Sequence, residues 1–124
     1  MEPVLMMKTA NGLLAIAAVG GLALAGIRFR GKPQPPAWLA MLHGFLGGTA
    51  VTLLLDAYFT VGLPALAAWA LLLFLIAAAG GAFLNLNYHW KMLPLPKGLI
   101  VGHAGVAVTG FVLLLAATRT ASRV

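Results

Sequence analysis

The chain has 124 residues, of which 62% are hydrophobic and 8% charged, and its formal net charge is +6. A soluble domain has about 25% charged residues, so this composition argues against a soluble fold and favours a small integral membrane protein. The chain contains no cysteine, which excludes disulfides, cysteine-ligated zinc and iron–sulfur clusters.

Four apolar stretches are long enough to cross a bilayer, which takes about 20 residues. The predicted spans are residues 12–27, 37–58, 65–86 and 98–118. Each is continuously apolar, whereas the strands of a membrane β-barrel alternate in polarity. Short loops join them, so neighbouring spans are antiparallel. The predicted fold is a single all-α domain over residues 1–124, an up-down-up-down four-helix bundle in a membrane.

The first span follows Lys8 and ends with Ala23-Leu24-Ala25, in the stretch "MKTANGLLAIAAVGGLALAG". These features also suit a secretory signal peptide with its cleavage site. The second half of the chain contains an equivalent of this segment, described below, and we therefore interpret it as the first transmembrane helix.

Prolines mark the beginnings of the other three spans, at Pro36, Pro64 and Pro96. A proline is tolerated in the first turn of a helix, where its missing N–H would have no partner. These positions predict helix starts rather than kinks within helices.

The two halves of the chain match each other at an offset of sixty residues without a gap. The segment "AAVGGLAL" (17–24) aligns with "AAAGGAFL" (77–84), and the same offset pairs Pro36 with Pro96, His43 with His103, Thr49 with Thr109 and the leucine triplet 53–55 with 113–115. A fixed offset indicates two tandem helical hairpins, about residues 10–60 and 70–120. Because each hairpin crosses the membrane twice, both have the same orientation, and equivalent residues lie at equal depth.

The paired histidines, His43 and His103, are candidate functional residues because an ionisable side chain inside a span is costly. A neutral histidine that hydrogen-bonds a neighbouring helix is the alternative. In the predicted bundle the second and fourth helices are diagonal, about 11 to 14 Å apart, a gap that suits a planar cofactor held from both sides.

A pair of imidazoles leaves a zinc ion short of its four ligands. Haem needs only axial ligands from the protein, since the porphyrin supplies four nitrogens. His43 and His103 are therefore predicted to ligate one bis-histidine haem b. Small residues one turn further on, Gly47 and Ala107, leave room for a porphyrin beside the imidazoles.

The loops on the same side as the histidines carry Arg28, Arg30, Lys91 and Lys97. These side chains are candidates for pairing with haem propionates. Anchoring by the positive-inside rule explains them equally well. The count of basic residues favours cytoplasmic loops 1–2 and 3–4 with both termini outside, in a bacterial inner membrane.

Three polar positions near the span ends have simpler interpretations. His89 lies between Tyr88 and Trp90 and reads as an interfacial residue, with a propionate or quinone contact as the alternative. Asn85 and Asn87 are expected to cap the third helix or to bond between helices.

With the motifs "LHGFLGG" and "GHAGVAVTG", the chain resembles the four-helix membrane b-type cytochromes, loosely of the cytochrome b-561 kind. In that family histidines from different spans ligate haem, and two haems near opposite membrane faces are common. This sequence lacks the histidines for a second pair. The resemblance therefore does not extend to transmembrane electron transfer through two haems.

The expected function is electron transfer through one haem, with quinol as a possible donor or acceptor and a redox protein as partner. An electron carrier is favoured over an independent enzyme, which would be a quinone-linked oxidoreductase. The alternatives are a non-catalytic subunit of a larger membrane complex, or a small transporter. Nucleic-acid binding is not expected, because the few basic residues are divided among segments that flank the spans.

Overall fold

In a computed structural model that describes residues 2–124, the chain forms four long helices. They are α1 (Pro3–Phe29), α2 (Ala37–Thr60), α3 (Ala65–Leu84) and α4 (Lys97–Ala121), and a π-helical turn at Asn85–His89 continues α3. All four helices are long and apolar enough to cross a membrane, and no strand occurs in the described part of the chain. The all-α fold with four such helices is confirmed.

The prolines begin helices as predicted. Pro36, Pro64 and Pro96 each occupy the N-cap position of α2, α3 or α4. Pro3 likewise lies at the beginning of α1, in its first turn. The fixed φ of proline suits this position, and its missing N–H removes one donor that would lack a helical partner.

The predicted start of the first helix was wrong, since α1 begins at Pro3 rather than near Gly12. Lys8 and Asn11 lower the mean hydropathy of the first three turns of α1. For this reason the sequence did not identify these turns as part of the helix. Met6 and Met7 are nonetheless buried there. The helix begins where its inner face becomes apolar, although its outer face is still polar.

Each hairpin packs along its own length, α1 on α2 and α3 on α4. The two hairpins then meet through more limited contacts between α1 and α4 and between α2 and α3. Helices α2 and α4 therefore lie at diagonal corners. This arrangement is the one that brings the predicted histidine helices into opposition.

The apolar core fills only one half of the bundle, the half nearer the termini and the α2–α3 turn. We call this the closed half, and its buried residues include Met7, Ala10, Leu14, Ala50, Leu54, Ala67, Ala70, Phe74, Leu114 and Ala117. Burial follows the sixty-residue offset, for Met7 and Ala67, Ala10 and Ala70, Leu14 and Phe74, Ala17 and Ala77, and Leu54 and Leu114.

The other half of the bundle is loosely filled, and we call it the open half. It comprises residues 20–29, 37–47, 80–89 and 97–107, and within these ranges only Leu84 is buried. Both histidines of the predicted pair lie here. Protein interiors are normally packed without voids, so this half of the bundle leaves space that the closed half does not.

The two loops at the end of the open half are joined to each other. Arg28 donates its Nε–H to the Leu95 carbonyl at 2.8 Å, and Gln34 donates to the Leu93 carbonyl at 3.1 Å. The Leu95 N–H donates to the Pro33 carbonyl at 3.3 Å. These three hydrogen bonds, here called the loop contact, tie the two hairpins together.

Candidate functional site: a histidine pair in the open half

His43 projects from α2 onto the neighbouring helix α1. Its Nδ1–H donates to the backbone carbonyl of Ala17 at 2.7 Å. The ring lies against the backbone of Gly21, so closely that a Cβ built there would stand 2.9 Å from the His43 Cε1. Real Cβ contacts essentially never reach that distance, and glycine at position 21 is therefore what admits the ring.

His103 makes the equivalent contacts in the second hairpin. Its Nδ1–H donates to the backbone carbonyl of Ala77 at 2.8 Å. A Cβ built on Gly81 would stand 3.2 Å from the His103 Cε1. Donor, acceptor and glycine are all related to those of His43 by the offset of sixty residues.

The two imidazoles lie close together between α2 and α4, in an edge-on arrangement. Their ring centroids are 6.1 Å apart and their planes make an angle of 76°. A carbonyl oxygen only accepts, so the Nδ1 atom carries the proton in each contact. In the neutral tautomer that this bond selects, each Nε2 has a free lone pair. The arrangement thus provides two oriented nitrogen donors from diagonal helices.

Small residues surround the pair. A cleft of about 230 Å³ adjoins His103 and is lined in part by Gly80, Gly98 and Gly102. Gly47, predicted to leave room beside His43, has no atom within 4 Å of the position that a Cβ would take. Ala107 is half-buried at the matching place on α4. Gly47 therefore adjoins unfilled space in the open half.

The predicted basic residues lie at the loop end of the open half, and most have partners within the chain. Arg28 takes part in the loop contact, and the Lys97 ammonium lies 5.4 Å from the centroid of the Phe29 ring. Lys91 donates to the Asn87 side chain at 3.5 Å. Arg30 is exposed at the C-cap of α1.

His89 is half-buried and contacts the opposite hairpin. Its Nε2 lies 2.9 Å from the Pro35 carbonyl, and its Nδ1 lies 3.3 Å from the Asn85 Oδ1. Asn87 donates to the Phe83 carbonyl one turn earlier at 3.3 Å. Capping and bonds between helices were expected for Asn85 and Asn87, but these particular partners were not predicted. The π-helical turn brings them together.

The sequence interpretation missed the residues that orient the histidines. Ala17 and Ala77 supply the carbonyls, while Gly21 and Gly81 admit the rings. The signal was present, because all four lie in the aligned segments "AAVGGLAL" and "AAAGGAFL". The glycines at positions 21 and 81 pack against the imidazole rings.

A second polar contact between the hairpins lies in the closed half. Asn11 of α1 donates from Nδ2 to the Thr118 hydroxyl of α4 at 2.9 Å. That hydroxyl in turn donates to the Leu114 carbonyl at 2.7 Å. The position equivalent to Asn11 is Leu71, which is buried in the core. An asparagine within an apolar stretch is the sequence signal for this contact.

In residues 2–124 no cluster of three or more His, Cys, Asp or Glu side chains could hold a metal ion. The histidine pair alone therefore offers two protein donors and no more. No family model matches the chain, and neither do any curated proteins or solved structures.

Proposed function

We propose that the protein is an integral membrane b-type haem protein that transfers electrons, with His43 and His103 as the axial ligands of one haem. The observation that carries the proposal is the pair of opposed imidazoles, each held through Nδ1 by a backbone carbonyl. A metal-ligating histidine almost always donates its other ring N–H in this way, because the bond fixes the tautomer and makes the ligand more basic.

The donor set fits haem better than a bare ion. Zinc requires four protein or water ligands, and the two imidazoles supply half of them. A porphyrin brings four nitrogens and needs only the two axial positions filled. When bound, haem supplies a one-electron iron couple, while the protein holds and orients the imidazoles.

The spacing of the rings also supports the proposal. The two imidazoles come from diagonal helices, and both would be within reach of one group held between them. The centroids are 6.1 Å apart. A cleft of about 230 Å³ adjoins His103, with Gly80 and Gly102 in its walls.

The matching environments of the histidines support the further proposal that the two hairpins are tandem repeats. The same acceptor position, the same glycine position and the same buried positions recur after sixty residues. Two repeats in one orientation are related by an axis along the membrane normal. They would place the two ligands at one depth.

The exterior of the bundle supports insertion into a bilayer. Large apolar side chains face outward along its length, among them Val19, Leu22, Phe45 and Val108, each more than half exposed. Exposed apolar surface on this scale marks contact with a membrane or a partner. We propose a bacterial inner membrane, with loops 1–2 and 3–4 cytoplasmic and both termini outside.

The basic residues at the loop end are proposed to serve the haem propionates. Arg28 uses its Nε–H in the loop contact, and a guanidinium has four further N–H donors. Arg30, Lys91 and Lys97 add three charges at the same end. Quinol and a second redox protein remain the proposed electron partners.

The test is the visible spectrum of the purified protein in detergent, oxidised and then reduced with dithionite, beside three single variants. Sharp reduced bands are expected in the wild type, and they should be lost in His43→Ala and in His103→Ala. His89→Ala is the matched control and should keep the bands, because the proposal gives His89 no bond to iron.

A protein that stays colourless after haemin is supplied would refute the haem proposal. So would full retention of the bands in both ligand variants. Circular dichroism on each variant separates loss of haem from loss of helix.

A further inference from the structure

A chain of two hydrogen bonds links α1 to α4 in the closed half. The Asn11 amide donates to the Thr118 hydroxyl at 2.9 Å, and that hydroxyl donates to the Leu114 carbonyl at 2.7 Å. Thr118 is buried. Within residues 2–124, no other side-chain hydrogen bond joins a helix of one hairpin directly to a helix of the other. We call this contact the polar clasp.

The two hairpins meet along two lines, which we call the α1–α4 seam and the α2–α3 seam. Residues 61–64 connect α2 directly to α3, whereas α1 and α4 are not consecutive and no turn joins them. At the loop end both seams are bridged alike, since Arg28 donates to the Leu95 carbonyl and His89 contacts the Pro35 carbonyl. The polar clasp therefore lies at the end of the α1–α4 seam where the other seam has a covalent connection.

The offset of sixty residues identifies the matching positions of the α2–α3 seam. Asn11 corresponds to Leu71, which is buried in the apolar core, and Thr118 corresponds to Tyr58, which is about half exposed. Leucine thus packs well at this place in the bundle. The Asn11 Oδ1 is buried and accepts no hydrogen bond within the chain, which is unfavourable. Packing alone therefore favours leucine over asparagine at position 11.

A hydrogen bond across the seam resists separation more than an apolar contact does. In a bilayer, apolar side chains have apolar surroundings whether they face a helix or lipid, so association of helices depends on packing and on hydrogen bonds between them. A single polar residue in a helix interface fixes how the helices pair, at a cost in stability. Asn11 has both features, an unfavourable buried group and a hydrogen bond across the seam.

We propose that the polar clasp is a conformational device that keeps the α1–α4 seam closed, in place of the turn that closes the α2–α3 seam. Without it, the two hairpins move apart at this end about the 61–64 connection, while each hairpin stays folded. The state of the seam affects the candidate site, because α1 carries the carbonyl that holds His43 and α4 carries His103. The proposal does not depend on haem, since it concerns contacts within the chain.

The test measures distances between pairs of spin labels in the full-length protein, in lipid vesicles and without haemin. The chain has no cysteine, so labels attach only at introduced cysteines. Thr9 and Arg119 are replaced to follow the α1–α4 seam, and their equivalents Trp69 and Phe59 to follow the α2–α3 seam. All four positions are exposed. The wild type is expected to give one narrow distance distribution for each pair.

Asn11→Leu copies the residue at the equivalent position 71. It should add a second, longer distance between positions 9 and 119 and leave the distance between positions 59 and 69 unchanged. The ratio of closed to open seam is expected to fall about 3- to 20-fold, the range covered by hydrogen bonds between membrane helices. The free energy of unfolding should not fall, because the unpaired Oδ1 is removed and the Thr118 hydroxyl keeps its bond to Leu114.

Three further variants show whether the effect belongs to the clasp. Thr118→Val removes the hydroxyl from the other side of the seam and should open it as Asn11→Leu does. Thr118→Ser keeps the hydroxyl and should give the wild-type distances. Thr120→Val is the matched control on the same helix, since the Thr120 hydroxyl donates to the Ala116 carbonyl of α4 itself. It should also give the wild-type distances.

A single, unchanged distance between positions 9 and 119 in Asn11→Leu or in Thr118→Val would overturn the proposal. If that result came with a lower free energy of unfolding, the contact would only stabilise the fold. A second distance that also appears in Thr120→Val, or at the α2–α3 seam, would overturn it too, since it would indicate general loosening. Haem takes no part in these measurements, so failure here and failure of the haem proposal are separate results.

Discussion

At the residue scale, the imidazoles are positioned by backbone atoms rather than by other functional side chains. Ala17 and Ala77 offer carbonyls that any residue could offer. Gly21 and Gly81 have no side chain, which leaves room for the rings. A Cβ built on Gly21 would lie 2.9 Å from the His43 Cε1, and one built on Gly81 would lie 3.2 Å from the His103 Cε1, so the clearance is smaller on the His43 side. The two imidazoles thus have similar hydrogen bonds but differ in how closely they approach the glycine beside them.

This difference predicts unequal effects of adding one methyl group. In Gly21→Ala the new Cβ collides with the His43 ring, which must turn away and weaken its bond to Ala17. We expect haemin affinity to fall about 10- to 100-fold, as for other changes that disturb the support of a metal ligand. Gly81→Ala should have a smaller effect. Titration with haemin, followed by absorbance, measures both.

Gly20→Ala is the control for this comparison. A Cβ there would lie 3.7 Å from the His43 Cβ, an ordinary van der Waals contact. Its haemin affinity should equal that of the wild type. An equal loss in Gly20→Ala and Gly21→Ala would show that helix packing, rather than ring clearance, determines the effect.

At the element scale, the loop contact joins two hairpins that otherwise share limited contacts. Its three hydrogen bonds run between residues 28–34 and 93–95, and the contact between His89 and Pro35 lies beside them. Pro35 and Leu95 are buried at this point. The two loops therefore cover the end of the open half, where the helices have the fewest buried residues.

Arg28 makes the shortest hydrogen bond in the loop contact, at 2.8 Å, and its removal tests the contribution of the loops. Arg28→Leu leaves the Leu95 carbonyl without its charged donor, and hydrogen bonds to charged groups contribute about 1.5 to 3 kcal/mol. We expect the free energy of unfolding in a mixed detergent titration to fall by about that amount. Arg30→Leu, at an exposed position, should change it by less than about 0.5 kcal/mol. Equal effects would mean that charge alone matters.

The elements were more predictable than their contacts. Proline and hydropathy located α2, α3 and α4, because both signals act within a few residues of the helix start. The beginning of α1 was missed since its first turns are apolar on one face only. The contact of His89 in the π-helical turn with the Pro35 carbonyl of the other hairpin is long-range, and no local pattern encodes it.

In the candidate site, too, the residues were more predictable than their contacts. The alignment of the sequence with itself at an offset of sixty identified His43 and His103 as a pair, since two equivalent positions carry the same unusual residue. Their bonds to Ala17 and Ala77 could not be predicted, because every residue has a carbonyl and the choice depends on how two helices rotate about their axes. The ring spacing of 6.1 Å likewise depends on side-chain rotamers as well as on the diagonal separation of the helices.

At the scale of the whole molecule, the bundle is divided into a closed half that supplies the apolar core and an open half that carries the histidines. Leu54 and Leu114 are fully buried in the closed half, whereas the open half buries Leu84 alone within its helical ranges. Local stability follows the density of buried contacts. One end of the bundle therefore maintains the fold, and the other is free to receive a ligand.

This division predicts how haemin changes the dynamics of the chain. In detergent, without haemin, backbone amides of residues 98–107 should exchange with deuterium faster than those of residues 67–77, because fewer buried contacts resist local opening. Haemin should slow exchange in residues 98–107, because local opening there releases it, and should raise the free energy of unfolding by about 2.7 kcal/mol at 100 times its dissociation constant. His103→Ala should show neither change on addition of haemin. Unchanged exchange in residues 98–107 after haemin is added would contradict the division, since it would place the bound haemin outside the open half.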